Sequence, residues 1–267
     1  MRYALILLCA AFGAACWTLT TDTEGLFGGP SAPSLEDAGA ATPDAGDGSV
    51  SEAGALGRFC ETVTPTPTLC IDFEDGDGIV AEFETTTGAT ARRTDRDGGH
   101  ALSIEGPADR DGPTAILGRM TEGTPVSARV SFDFRLDAIT SGPNAVSFVG
   151  FIFRDGPDYH KIDAVLDEDG IIGLGQVGTI GPRGFVEATK PLSRTEWHRI
   201  GLEVVFEGTR VARVVADDDV VAELALGAIP AGTDPMVLEI GMGIGPPVTA
   251  GPTSFHFDNI VYDPVVR

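Results

Sequence analysis

An all-β, two-sheet antiparallel sandwich is the fold class this sequence predicts, and three observations predict it. Short runs of alternating apolar and polar residues recur from residue 58 onward, separated by Gly, Pro and Asp turns. In 129–137, Val130, Phe132, Phe134 and Leu136 share one face, and Arg129, Ser131, Asp133, Arg135 and Asp137 share the other. That period of two marks a half-buried strand. No stretch of helical length beyond the N-terminal apolar run keeps a 3.6-residue period free of Gly and Pro. A dozen or so short strands in about 210 residues suit two packed sheets.

The chain begins with one cation, Arg2, then an apolar run over 3–12 and the small residues Gly13, Ala14 and Ala15 before Cys16. This pattern describes a secretory signal over 1–15. The run is too short to cross about 30 Å of hydrocarbon, and no later segment has 18 consecutive apolar residues. Gly13-Ala14-Ala15-Cys16 resembles the lipobox of bacterial lipoproteins, with Gly13 where that family usually has leucine. The resemblance implies lipidation of Cys16 and, with Trp17 following, an anchor at the outer membrane or cell surface. Plain secretion, with cleavage near the same place, is the alternative. Residues 16–57 are dominated by Ala, Gly, Pro and acid. Positions 17–57 hold seven carboxylates and no Lys or Arg. Such a segment cannot bury enough apolar surface to offset its ordering entropy, so it reads as a disordered tether.

The folded domain is expected over 58–267. With Cys9 in the signal and Cys16 assigned to lipid, Cys60 and Cys70 remain, a pair expected to be oxidised in an exported protein. Closing that short loop contributes roughly 3 kcal/mol. Strand runs follow at 69–74, 101–105, 114–120, 129–137, 146–153 and 161–167. Asp169-Gly170 then turns the chain into 171–177, a hairpin signal. Further runs lie at 199–207, 210–216, 220–226, 236–240 and 255–262. In 199–207, Ile200, Leu202, Val204 and Phe206 point one way. Trp197, at the start of that strand, is expected to pack in the core.

Thr195-Glu196-Trp197-His198-Arg199-Ile200-Gly201-Leu202 is followed by hairpins that end in Asp217-Asp218-Asp219. This segment resembles the concanavalin A-like/laminin-G-like jelly roll, where a Trp-His pair opens a strand and an acidic turn sits at a later hairpin. Cys70-Ile71-Asp72-Phe73-Glu74 and Phe255-His256-Phe257-Asp258-Asn259-Ile260 are similar to the terminal strands of such domains. The resemblance implies a jelly-roll sandwich over most of 68–264. A galactose-binding-like sandwich is the second choice of fold.

Charge and motifs narrow the function. Forty acidic residues against 18 basic give −22 for 267 residues, the opposite of a nucleic-acid footprint. Retaining glycosidases need two carboxylates about 5–5.5 Å apart, and no strand here carries the same-face pattern that supplies them. There is no Gly-x-Ser-x-Gly elbow and no His-Glu-x-x-His, and the four histidines are scattered. The expectation is therefore no enzyme. Glu74, Asp75 and Asp77 beside the opening strand, with Asp258 and Asn259 from the closing one, are candidate ligands for a structural calcium, which takes about six to eight oxygens. Tyr159 and His160, after the Gly156-Pro157-Asp158 turn, are candidate sugar contacts because loop edges carry grafted function. His256, between Phe255 and Phe257, faces the opposite side and reads as a hydrogen-bonded structural histidine. Together the two resemblances imply an envelope-anchored, monomeric, non-catalytic module for a glycan or envelope polymer. A structural or protein-interaction domain is the alternative, and a glycosidase-like enzyme is third.

Overall fold

The computed structural model describes residues 58–86, 88–96, 99–107, 113–139, 145–229, 235–244 and 252–267. The expected signal and tether, Cys16 included, lie outside the described residues. Among those described, fifteen strands follow a one-turn helix (Phe59–Thr62): β1 (Leu69–Ile71), β2 (Glu84–Thr86), β3 (Thr90–Arg96), β4 (Gly99–Gly106), β5 (Thr114–Thr121), β6 (Pro125–Ala138), β7 (Val146–Asp155), β8 (Asp158–Leu166), β9 (Ile171–Gly178), β10 (Gly184–Pro191), β11 (Trp197–Val205), β12 (Val211–Ala216), β13 (Asp219–Ala225), β14 (Met236–Ile244) and β15 (Thr253–Val266). The first sheet runs β13-β12-β11-β6-β15-β4-β3, with β1 also on β15; the second runs β10-β9-β8-β7-β14-β5-β2. Every pairing is antiparallel. The expected jelly-roll sandwich is the observed one.

The alternation in 129–137 holds throughout. Val130, Phe132, Phe134 and Leu136 are fully enclosed, while their polar neighbours line the outer face. Phe134 stacks on Phe148 of the facing sheet at 5.1 Å, and Phe132 tilts against Phe257 at 5.4 Å. Each such side chain contributes about 1.5–3 kcal/mol through burial, so these rings dominate the clamp between the sheets. β15 breaks its own alternation. Phe255 and Phe257 are inward, then Ile260 and Tyr262. The register shifts between Asp258 and Val261 against β6, and Asn259 adopts φ +51. This one-residue bulge moves the buried phase from odd to even residues, which one unbroken run over 255–262 does not convey.

β3 and β10 each lie at one edge of their sheet, and neither was expected from the sequence. Each has one neighbour and few enclosed residues, so neither carries strong hydrophobic alternation. The hairpins predicted at 169–170 and at 217–218 do form. At 167–170 the Asp167 carboxylate accepts the N–H groups of Asp169 (3.0 Å) and Ile171 (2.8 Å), and Gly170 takes φ +81. At the β12–β13 tip, Asp217 and Asp218 both have positive φ, +49 and +71, the backbone of a two-residue primed turn. Cys60 and Cys70 form a disulfide with Cα atoms 5.7 Å apart.

Candidate functional site

The second sheet carries one cross-strand row of glycines, two acids and an aromatic over six strands. Glu239 on β14 faces Gly118 of β5 and Gly150 of β7; Gly150 faces Asp163 of β8; Asp163 faces Gly175 of β9; Gly175 faces Phe185 of β10. Five interstrand steps give a platform on the order of 24 Å long. Ile162, Ala164, Leu238 and Ile240 point inward and are enclosed, so strand alternation places Lys161, Asp163 and Glu239 outward. The Lys161 ammonium lies 3.1 Å from Glu239 Oε2, 3.6 Å from Asp163 Oδ2 and 3.1 Å from Ser147 Oγ. Arg154 reaches Glu239 Oε1 at 4.0 Å.

Glycine makes this reach possible. Lys161 on β8 must cross β7 to meet Glu239 on β14. A Cβ at Gly150 would stand 2.8 Å from Asp163 Cβ and 2.9 Å from Lys161 Cε, so any side chain there would block the crossing. On the other flank, a Cβ on Gly173 would overlap the Phe185 ring. Glycine there lets the aromatic lie flat on the sheet.

The three charged side chains are only 10–19% exposed, which shifts their protonation. Burial pushes the Asp163 carboxyl up, against the pull of Lys161 and the Ser147 hydrogen bond. Burial alone would lower Lys161, but the facing Asp163 and Glu239 outweigh it and hold the ammonium above the ordinary lysine value. The cluster thus combines a cation held by its neighbours, a carboxyl whose affinity for a proton is raised by burial, and a second carboxylate. These are the components for neutralising an acid group and moving a proton.

The first sheet's outer face is different. Arg96 pairs with Asp133 (2.9 Å) and Asp258 (2.5 Å), and Arg199 with Asp133 (3.1 Å). Arg135 binds Asp137 through two nitrogens at 2.8 Å each, and His256 Nε2 lies 2.8 Å from the same carboxylate. Trp197 is half-buried on this face rather than in the core. Its strand begins on the outward phase, and its ring takes the Arg96 guanidinium at 3.9 Å. A hollow of about 330 Å³ opens between Asp95, Arg96, Arg135 and Trp197. His256 is the hydrogen-bonded residue its phase implies.

The structure scatters the residues expected as calcium ligands. Glu74 accepts the His100 N–H at 2.7 Å and meets the His100 ring at 3.1 Å. Asp75 pairs with Arg58. Asp77 accepts the Ala81 N–H through its carbonyl. Asp258 and Asn259 are engaged with Arg96 and Asp133. Among the described residues no three His, Cys, Asp or Glu side chains converge as a metal cage. His160 is corrected as a sugar contact. It is fully enclosed, with Nδ1 3.1 Å from the Ile180 carbonyl and Nε2 3.0 Å from Gln176 Nε2, because its position on β8 falls on the inward phase. Tyr159 is half-buried at the start of β8, its carbonyl accepting the Thr179 N–H.

Lys161, Asp163 and Glu239 were not singled out from sequence. The available signal was Lys161-x-Asp163 flanking Ile162 ahead of the apolar 164–166, and one acid in Met236–Ile244. Only strand pairing shows that they meet.

No family model matches the sequence, and no curated protein does. Solved structures share the fold. An endo-β-1,4-glucuronan lyase from the fungus Trichoderma reesei matches with TM-score 0.55 at 15% identity, over 75% of this chain and 96% of that one. Cellulose induced protein, Cip1, matches at 0.51 and 13%, over 74% and 98%. Alginate lyase A1-II', a member of polysaccharide lyase family 7, matches at 0.51 and 13%, over 69% and 86%. The expectation of a non-catalytic module and no enzyme is corrected by these matches, since the jelly roll that suggested mere binding is here the fold of polysaccharide lyases.

Proposed function

We propose that the domain is a polysaccharide-processing enzyme that cleaves a uronate-containing polymer by β-elimination on the outer face of the second sheet. The observation that carries this reading is the Lys161 ammonium held between Asp163 and Glu239 at the centre of a long, low platform. Elimination next to a uronate carboxylate requires three things: a cation to neutralise that carboxylate, a base for the adjacent C–H, and an acid for the departing oxygen. Lys161 supplies the first. Glu239 accepts the proton as the carbon–carbon double bond forms, and the glycosidic C–O bond breaks. Asp163, whose burial favours the protonated form, protonates the leaving oxygen. Proton exchange from Glu239 back to Asp163 resets the site. Phe185, at the end of the row, offers a sugar a flat apolar contact. The Cys16 anchor and the 16–57 tether, if formed, hold this activity at the cell envelope.

The test incubates the chain with alginate and with glucuronan and follows the ultraviolet absorbance of unsaturated uronate ends. Product is expected with at least one polymer, and Glu239→Gln and Lys161→Met are each expected to lower the rate at least about 100-fold. Reducing ends without that absorbance would indicate a hydrolase instead. No cleavage of either polymer, or cleavage indifferent to both substitutions, would overturn the assignment.

A further inference from the structure

At one end of the sandwich, the segment 192–196 between β10 and β11 meets the β12–β13 hairpin tip. Ser193 Oγ lies 2.8 Å from His198 Nε2, and His198 Nδ1 lies 2.6 Å from Asp217 Oδ2. The other oxygen of Asp217 accepts the Arg199 N–H at 2.8 Å, which fixes the carboxylate. Thr195, at φ +65, donates its N–H to the Leu136 carbonyl at 2.8 Å and pins the segment that carries Ser193. The His198 side chain is 12% exposed and that of Asp217 is 55% exposed, so the chain of contacts runs from a shielded imidazole to solvent. Hydroxyl, imidazole and carboxylate in this order are the nucleophile, base and orienting group of acyl-transfer centres, which are recognised by geometry and not by sequence position. Two other groups share the site: Glu196 Oε2 also accepts from Ser193 Oγ, and the Ser193 carbonyl lies 3.2 Å from His198 Nε2. Glu196 is exposed, so it can turn away and leave the hydroxyl proton to the imidazole.

We propose that Ser193 is an acylatable nucleophile, with His198 as its base and Asp217 as the orienting carboxylate, giving the chain a hydrolytic activity toward small carboxylic esters. Ser193 Oγ bonds to the ester carbonyl carbon as its proton passes to His198 Nε2. The bond to the alcohol breaks, and the alcohol leaves with that proton. Water then repeats the sequence, releasing the carboxylic acid and restoring Ser193. This centre uses none of the residues assigned to elimination and stands without that reading.

The test treats the full chain with a fluorophosphonate probe and with p-nitrophenyl acetate. A probe adduct on Ser193, located by peptide mass, and ester turnover above the buffer rate are expected, both lost in Ser193→Ala. His198→Gln and Asp217→Asn are each expected to slow adduct formation at least about 100-fold with the circular dichroism unchanged. If His198→Gln does not fold, Asp217→Asn, at the exposed hairpin tip, decides alone. Ser193→Ala is expected to leave uronan cleavage as it is in the wild type. No adduct on Ser193, or an adduct whose rate ignores the imidazole and its carboxylate, would overturn the proposal.

Discussion

On the outer face of the first sheet, Arg96, Arg135 and Arg199 meet Asp133, Asp137 and Asp258, and Arg96 and Asp133 each touch two opposite charges. On the second sheet, one ammonium stands between two carboxylates, and it reaches the one two strands away by passing over a glycine. The first arrangement joins β3, β6, β11 and β15 across their backbones. Arg96 and Arg199 are held there by carboxylates of other strands, and the Arg135–Asp137 pair is bidentate. The second places a carboxyl whose proton affinity is raised by burial beside a cation that a bound acid group can engage. The same kinds of charge can therefore staple a sheet or poise it for proton transfer. Strand spacing and the presence of glycine decide which.

The largest expected effect on this contrast comes from Lys161→Met. It leaves Asp163 and Glu239 facing each other with little water, and it should cost about 3–5 kcal/mol in urea unfolding. Arg96→Met, with its partners on a more open face, should cost less. Equal losses at the two sites would erase the distinction.

Gly150→Ala comes next. The added methyl meets Lys161 Cε at 2.9 Å and the Ile162 carbonyl at 3.0 Å, and backbone cannot give way as a side chain can. A loss of about 1–3 kcal/mol is expected, together with weakened uronan cleavage as Lys161 is pushed off Glu239. Unchanged stability and rate would show that Lys161 reaches Glu239 by another path.

The smallest effect sharpens the first face alone, where two groups titrate with opposite sign. Burial raises Asp258 from 3.8 to about 6. The folded protein therefore holds that proton more tightly than the unfolded chain. The resulting stability is fully present below about pH 3.8 and is lost as pH rises through 6. His256 is shifted down, by burial above all, although Asp137 pulls it up. Its contribution is full above 6.5 and is lost as pH falls through its folded value. Asp258→Asn should flatten the gain on acidification, and His256→Gln should remove the loss. Urea midpoints measured in steps from pH 7 to pH 4 check both, and profiles parallel to the wild type would reject the assignment.

Much of the fold was legible because a period of two is a local signal. Val130, Phe132, Phe134 and Leu136 announce their face without reference to any partner. β3 and β10 were missed because they enclose almost no side chains and carry no apolar alternation, whereas β13, also at an edge, was read from its apolar residues. Trp197 and His160 were misplaced by one phase each. Trp197 reads as a core anchor until its strand is seen to start outward, and His160 reads as a loop-edge contact until β8 is seen to begin two residues earlier.

By itself the sequence determined the sandwich, its two clearest hairpins and the Cys60–Cys70 pair, since each depends on residues close together in the chain. Tertiary structure alone decided the chemistry. Lys161 and Glu239 are brought together by the β7–β8 and β7–β14 pairings, and Ser193, His198 and Asp217 by the pairing of β11 with β12. Asn259 shifts the phase of β15 only through its bulge against β6. Pairing register is a property of the whole sheet, so contacts that depend on it cannot be read from any single strand.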